Sequence, residues 1–549
     1  MKIAFVIYNV LSTERMGIML MSSLVKQKFP HAEVELFVYT DGRLKEQILS
    51  FKPDIVAYSA STGEHVHYLT IAREVKNLGK VLGKKIFQVM GGPHCTFAPE
   101  TLLGSSLDAV GVGECDDAWV ELLESLEIGG NISNIPDIVT RGNFNEIVFP
   151  ANIQSEGYVR YRVTNIRPRT CRDPENHQTC LDHLPFLDWD LYLSRTNFEQ
   201  SNSLLKRTIM TRRGCPFQCT YCFNRVFNAI HPGERPVHNY SIERVIQECE
   251  WVTANYPTEF WKFYDDIAFF SSSGQEGERL REFSEKWKRR INLPFFVLTR
   301  ADLVAKDPDI LRILKDAGCQ SCTMSIEGGN EYVRNNILER SMSDEDVVFA
   351  HRLAWDLGIK TFSNVIFSVP VKSTEIEKHN LPRKSINRDI ESVKLCLDSR
   401  VHFVECPMLF PYPGTKLGEY CKEEGFFDGD AEKLDQSYQT LSPFDVLSEK
   451  EKRWSQNLAF LSMWCVFLGS RQNKLVRNFI SPLFFRFTTS FLIKIPSVWF
   501  SKLYFILYAV LQQYLCGAEI YRPKYRTPLK TMTNGFWGRL RYEFKKQFP

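Results

Sequence analysis

The chain has 549 residues, of which 44% are apolar and 24% charged, with a net charge of +3. Such a length predicts two to four domains, and such a composition is that of an ordinary globular protein, which excludes a mainly disordered or fibrous chain. The small net charge conceals an asymmetry: from Arg471 to the end there are 14 Lys or Arg and 2 Asp or Glu, a balance of +12, so the rest carries about −9.

Residues 2–9 read as a buried strand that opens the chain. No apolar run with a cleavage site precedes it, so no signal peptide is read and a reducing cytoplasm is expected. There, fifteen cysteines read as metal-binding or catalytic wherever they cluster. A helical pattern covers Met16 to Phe29. Strands are predicted at Val34 to Tyr39, Pro53 to Ser59, Lys85 to Met90 and Ala109 to Gly113. Helices intervene up to Phe51, at about 64–82, and after Glu114 to about Leu126. Alternating strands and helices argue for an α/β, doubly wound parallel sheet over 1–130. Ligands of such sheets bind beyond the carboxyl ends of the strands. That places Asn9 to Met16, Ser59 to Gly63, Gly91 to Thr96 and Gly113-Glu114 on one rim. Gly91, Gly92, Gly111 and Gly113 let a bulky ligand approach the backbone, or they are plain turns. Residues 131–205 read as an irregular linker, in which prolines and aspartates from Leu181 to Asp190 pin an extended crossing.

The one dense cysteine cluster is Cys215, Cys219 and Cys222, after an apolar run (Thr208 to Thr211) and an Arg212-Arg213-Gly214 turn. Three thiolates on one loop can hold three irons of a cubic cluster and leave the fourth open to a substrate. A zinc site would want a fourth ligand, for which His231 lies within reach. Downstream, strands are predicted near Phe260 to Tyr264, Phe295 to Arg300, Ser321 to Glu327, Lys360 to Val369 and Val401 to Pro407. Ser241 caps a helix to about Asn255 and Ser343 one to about Leu357. Further helices are read near 277–290, 309–317 and 385–398. Repeated strand–helix units over 206–425 predict a partial (β/α)6 barrel with its site at the strands' carboxyl ends.

Cys-x3-Cys-x2-Cys, with Tyr221 before the last cysteine, resembles the signature of the radical S-adenosylmethionine (SAM) superfamily. The Gly91 to Pro99 run (Gly-Gly-Pro-His-x-Thr-x-x-Pro) and Gly113-Glu114 resemble the cobalamin-binding domain that precedes many such cores. Leu181 to Pro185 resembles the linker between the two. Asp-x-His-x-x-Gly is absent, so the resemblance implies a cobalt without a histidine ligand from that motif. The resemblance covers about 1–425. It implies a 4Fe-4S cluster on the three cysteines, SAM on the open iron, cobalamin, and an external electron donor of the flavodoxin or ferredoxin type. Asp265 and Asp266 stand where the family often has Gly-Gly-Glu, near the SAM amino group. Arg300 could pair with the SAM carboxylate, and Glu327 with its ribose. Tyr221 and Ile366 to Pro370 would border the adenine. Ser368 replaces a glycine common in that stretch. Ser59, Gly91, Gly92, His94, Thr96, Gly113 and Glu114 would line the cobalamin, with His94 facing the corrin or merely holding its turn. Tyr412 to Thr415 matches a Pro-Gly-Thr turn over the site. No catalytic side chain is assigned. The implied activity is methylation of an unactivated carbon of a small-molecule or lipid-like substrate. Two alternatives stay open: a cobalamin-dependent cyclase or rearrangement enzyme, and a non-catalytic iron–sulfur or zinc protein.

The tail, 426–549, shows no motif and reads as mainly helical. Its uncharged runs, Trp454 to Ser470 and Leu503 to Ala518, fall short of a membrane span. With the basic balance they read either as an interfacial anchor on anionic lipid or as a helical cap with a solvated basic face. Nucleic-acid binding is a weaker reading, since no recognisable fold supports it.

Overall fold

The computed structural model describes residues 1–10, 13–150, 161–169, 180–196, 205–430, 433–434, 440–495, 497–516 and 519–520. Strands β1 (Lys2–Ile7), β2 (Glu33–Val38), β3 (Ile55–Ser59), β4 (Phe87–Gly91), β5 (Ala109–Gly111) and β6 (Ile138–Thr140) form the first sheet, in the order β2-β1-β3-β4-β5-β6. All pair in parallel except β6, which adds antiparallel to the edge. The strands are near-continuous apolar runs because both faces are covered. Alternation splits β1 between two cores. Ile3, Phe5 and Ile7 pack with Ile18, Trp119 and Leu122 of helices Met16–Lys28 and Asp116–Glu127, while Ala4 and Val6 pack with Ile48, Tyr68 and Ile71 of helices Leu44–Phe51 and His65–Val81.

The stretch read as an irregular linker holds more structure than its sequence suggested. Besides β6 it contains an antiparallel hairpin of β7 (Val148–Pro150) and β8 (Tyr161–Val163), and a helix, Trp189–Thr196. Acidic residues within it and on the helix Ile242–Asn255 pin the crossing. Asp182 accepts from the Ser241 amide, Asp188 takes Ser22 and Lys26, and Glu248 holds the Leu187 amide and the Trp189 indole.

The second sheet is the partial barrel. β9 (Lys206–Ile209) is followed by a short antiparallel pair, β10 (Arg212–Arg213) with β11 (His238–Asn239), then β12 (Phe260–Phe263), β13 (Phe295–Thr299), β14 (Cys319–Met324), β15 (Lys360–Asn364) and β16 (Phe403–Glu405). The barrel order is β9-β12-β13-β14-β15-β16, parallel throughout. Arg212 and Arg213 are therefore a short strand, where the sequence suggested a turn. On the outer face Phe263, Phe283, Trp287 and Phe295 pack with centroids 5.1–5.6 Å apart, edge-on except for the stacked Phe283–Trp287 pair. Burying each such ring contributes about 2 kcal/mol.

The tail helix Glu449–Gly469 opens on a Ser448/Glu451 capping box and buries Leu458, Phe460, Leu461 and Met463. Ser455 bonds Asp389 and Ser470 bonds the His402 carbonyl, which ties this helix to the barrel. Helix Val498–Val510 packs on it through Phe505 and Tyr508 against Phe460. Both uncharged runs therefore contribute to the protein's own core. Among the described residues, no helix is long and apolar enough to cross a membrane. The basic residues from Arg522 to Lys546 lie outside the described residues.

Candidate active site

Cys215, Cys219 and Cys222 lie on the loop between β10 and the helix Phe223–Ala229. Gly214 makes the entry: its φ is +88°, and a Cβ there would meet the Pro236 carbonyl at 2.1 Å. The loop is clamped from three sides. The Thr220 amide and hydroxyl donate to the carbonyls of Leu338 and Ile337 (3.2 and 2.7 Å), and Asn228 donates to the Cys215 carbonyl. Thr415 caps the helix Lys416–Glu423, whose Leu417 amide donates to the Thr220 carbonyl. The Pro-Gly-Thr turn thus braces the cysteine loop directly.

Cys219 is buried, while Cys215 and Cys222 are half-buried. Burial pushes the Cys215 thiol up to about 11 and the Cys222 thiol up to about 12, so a metal must supply the charge that makes them thiolates. The residues fit a cluster. All three sulfurs are free thiols on one loop, and two guanidinium groups, Nη1 of Arg300 and of Arg340, donate to the Cys219 sulfur at 3.6 Å each. A zinc centre would want a fourth ligand beside the three sulfurs, for which His231 is the candidate. His231 points its Nδ1 at the Phe227 carbonyl.

Around the loop the structure gathers Tyr221, Asp266, Arg300 and Glu327. Arg340 donates to the Tyr221 hydroxyl at 3.2 Å and to the Ser325 carbonyl at 2.7 Å. Burial raises Glu327, opposed by Arg340 and by hydrogen bonds from Tyr221 and Ser325. Burial also raises Asp266, whose hydrogen-bond partners are Asn224 and the Gly214 amide. Pro370 is buried at the end of a stretch that continues past β15, where the Ile366 amide reaches the Glu327 carbonyl. Ser368 sits at φ +61°, with its amide on Asp389.

The structure bears on two expectations at this rim. Asp265 is buried and its Oδ1 accepts the Thr211 and Arg212 amides at 2.6 and 2.8 Å, while its Oδ2 has no hydrogen-bond partner among the described residues. It holds the strand that leads into the cysteines. Arg300 has no free fork for a carboxylate. Asp302 takes its Nε and Nη2, the Arg340 carbonyl accepts from Nη2 as well, and the plane stacks on Phe217 at 3.8 Å. Arg340 is the residue that sequence reasoning missed; no motif marks it.

The rim of the first sheet faces this loop. Arg213 pairs with Asp116 at 2.5 Å, Glu114 reaches Arg169 and Arg213, and Phe97 lies 6.5 Å from Phe223. Side chains added at Gly91 or Gly113 would meet nothing within 4 Å, so both border open space, and Ser59 is half-buried beside them. That glycine cradle fits a flat, bulky ligand. The other residues expected to line it are supports. His94 uses both ring nitrogens, on Thr62 (3.0 Å) and Thr101 (2.9 Å), and stacks on His65 at 3.7 Å. Burial depresses it to about 3. Thr96 bridges the Gly92 carbonyl to the Gly113 amide. Glu114 is spent on arginines, and Gly92 backs onto Ala60.

A parallel partial barrel with three thiols at its rim, abutting a doubly wound sheet with a glycine cradle, defines a two-cofactor enzyme. Comparison with known proteins names its class. Residues 209–379 match the Radical SAM superfamily and residues 22–123 the B12 binding domain. An uncharacterized methyltransferase of Pyrococcus horikoshii is 24% identical over 413 residues, 74% of this chain and 78% of that one. The structure of the radical SAM methyltransferase TsrM from Kitasatospora setae, with tryptophan and a SAM analogue bound, superposes with a TM-score of 0.54 at 15% identity, covering 77% of this chain and 76% of that one. The cobalamin-dependent radical enzyme OxsB, with aqua-cobalamin and SAM bound, gives 0.56 at 13% identity, covering 100% and 84%. The chain is a cobalamin-dependent radical SAM enzyme, and its cofactors are those of the class: a 4Fe-4S cluster, SAM and cobalamin.

Proposed function

We propose that this enzyme methylates an unactivated carbon of a small molecule. The observation that carries this reading is the contact between the two rims. The Arg213–Asp116 pair sits two residues before Cys215, and it fixes the glycine cradle against the cysteine loop. A group bound in the cradle and one bound at the cysteines would then lie on facing rims. Bound there, the cofactors supply a 5′-deoxyadenosyl radical and a transferable methyl group. The chain's own residues bind and orient. Cys215, Cys219 and Cys222 ligate the cluster. Arg300 and Arg340 compensate the negative charge at Cys219. Tyr221, Asp266, Glu327 and the stretch to Pro370 hold SAM, while Gly91, Gly113 and Ser59 admit the corrin. Phe97 and Phe223 meet across the two rims with ring centroids 6.5 Å apart. Electrons come from an external donor of the flavodoxin or ferredoxin type.

The test is anaerobic turnover of the reconstituted enzyme with SAM carrying a deuterated methyl group. Methyl transfer predicts S-adenosylhomocysteine and 5′-deoxyadenosine together, with label in the product. 5′-Deoxyadenosine without S-adenosylhomocysteine would assign the chain to ring formation or rearrangement.

A further inference from the structure

Between the two uncharged runs of the tail lies a helical stretch, 474–490, that turns much of its apolar surface outward. Its fully buried positions, Ser481 and Thr488, are small and polar, and Phe484 and Phe485 pack half-buried against the core. Ser481 donates to the Cys465 carbonyl and Thr488 meets the Cys465 sulfur on helix Glu449–Gly469. Its outward positions are large and apolar. Leu475, Phe479, Leu483, Phe487 and Phe491 recur every four residues and are 61, 69, 70, 50 and 56% exposed. Residues four apart are neighbours on a helix surface, so the five form a stripe that winds slowly about the axis. Trp499, next along the chain, is 64% exposed as well. A contiguous apolar face of this kind marks a contact surface.

The charges along this part of the sequence have one sign. From Lys452 to Ala518 the sequence has eight Lys or Arg and no Asp or Glu. Lys474, Arg486 and Lys494 are exposed beside the stripe, and none of them makes an ion pair among the described residues. A second copy of this chain would bring the same positive charge to the face. An anionic lipid surface brings the opposite one, and takes Phe, Leu and Trp into its headgroup boundary.

We propose that this face, Leu475 to Trp499, seats the enzyme on the surface of an anionic bilayer without spanning it. The inference stands on exposure and charge, and does not depend on the methyl-transfer reading. It also moves the contact from the two uncharged runs, which the fold buries, to the segment between them.

The test is flotation of the full-length holoenzyme with vesicles of phosphatidylglycerol and phosphatidylethanolamine, against vesicles of phosphatidylcholine alone. The proposal predicts binding to the anionic vesicles that weakens with salt. Leu483→Glu with Phe487→Glu reduces it by at least about tenfold, and Arg486→Glu with Lys494→Glu removes the preference for anionic lipid. All four side chains are exposed, so iron content and melting temperature stay at the parent values. Absence of binding by the parent, or binding unchanged in the double variants, overturns the proposal. So does a concentration-dependent dimer in sedimentation that Leu483→Glu with Phe487→Glu abolishes while vesicles remain unbound.

Discussion

The two rims of this enzyme are built on opposite plans. The first sheet offers a ligand its backbone. Gly91 and Gly113 border open space, and the polar side chains nearby, His94, Thr96 and Glu114, are consumed in holding loops. The barrel offers side chains: three thiols, two guanidinium groups and two carboxyl groups, several of them buried. The contrast follows from what each must hold. A corrin is broad and needs room. A cluster with SAM is compact and charged, so it needs ligands and compensating charge. Sites of the first kind are damaged by adding atoms, and sites of the second by removing them.

That comparison can be tested from both sides. Removing a ligand has the largest effect: Cys219→Ala loses the cluster on iron analysis and lowers turnover by at least about 1,000-fold, the scale of an indispensable group. Adding atoms to the cradle comes next. Gly91→Leu weakens cobalamin retention by about 10- to 100-fold, the scale of overpacking, while iron content holds. Loss of iron in that variant instead would show that the rims are not separable. Arg340→Gln removes a charge-assisted bond worth about 2 kcal/mol. It accelerates iron loss to a chelator about tenfold and alters the cluster's paramagnetic spectrum, with cobalamin unaffected.

The histidine stack behind the cradle gives a pH dependence. Burial holds His65 at about 4 and His94 at about 3, below the ordinary value for histidine. The unfolded chain therefore takes these protons first. The stability at stake is complete above about pH 6.5 and is lost as pH falls toward the folded values, at about 1 kcal/mol per pH unit per histidine. Urea midpoints between pH 6.5 and 4 should show that slope, and His94→Asn should flatten it. The smallest effect is at Ser368, whose left-handed backbone disfavours a side chain. Ser368→Gly should stabilise by about 0.5 kcal/mol, read as a small rise in melting temperature.

Much of the fold was legible. Strand runs and helix caps act locally: the Ser241 hydroxyl accepts the Arg244 amide, and Ser343 and Asp346 close a capping box. The cysteine loop was legible because its spacing is itself the chemistry. Asp265 and Asp266 were not separable by sequence. Both accept main-chain amides, Asp265 from Thr211 and Arg212 and Asp266 from Gly214, and only the fold shows which carboxyl lies beside Cys215 and Cys222. Arg340 lies 121 residues from Cys219, and no local pattern announces it. The tail misled for a physical reason. Lack of charge marks burial as readily as membrane contact, and the exposed stripe is broken by Arg477, Asn478, Ser481 and Thr488. A period of four would have found it where run length did not.

The most direct test of the two-rim account is anaerobic reconstitution with iron, sulfide and hydroxocobalamin, followed by metal and corrin quantitation. The account predicts about four irons and one cobalamin per chain, with Cys219→Ala losing only the first and Gly91→Leu only the second. Iron without cobalamin, or zinc in place of iron, would contradict it.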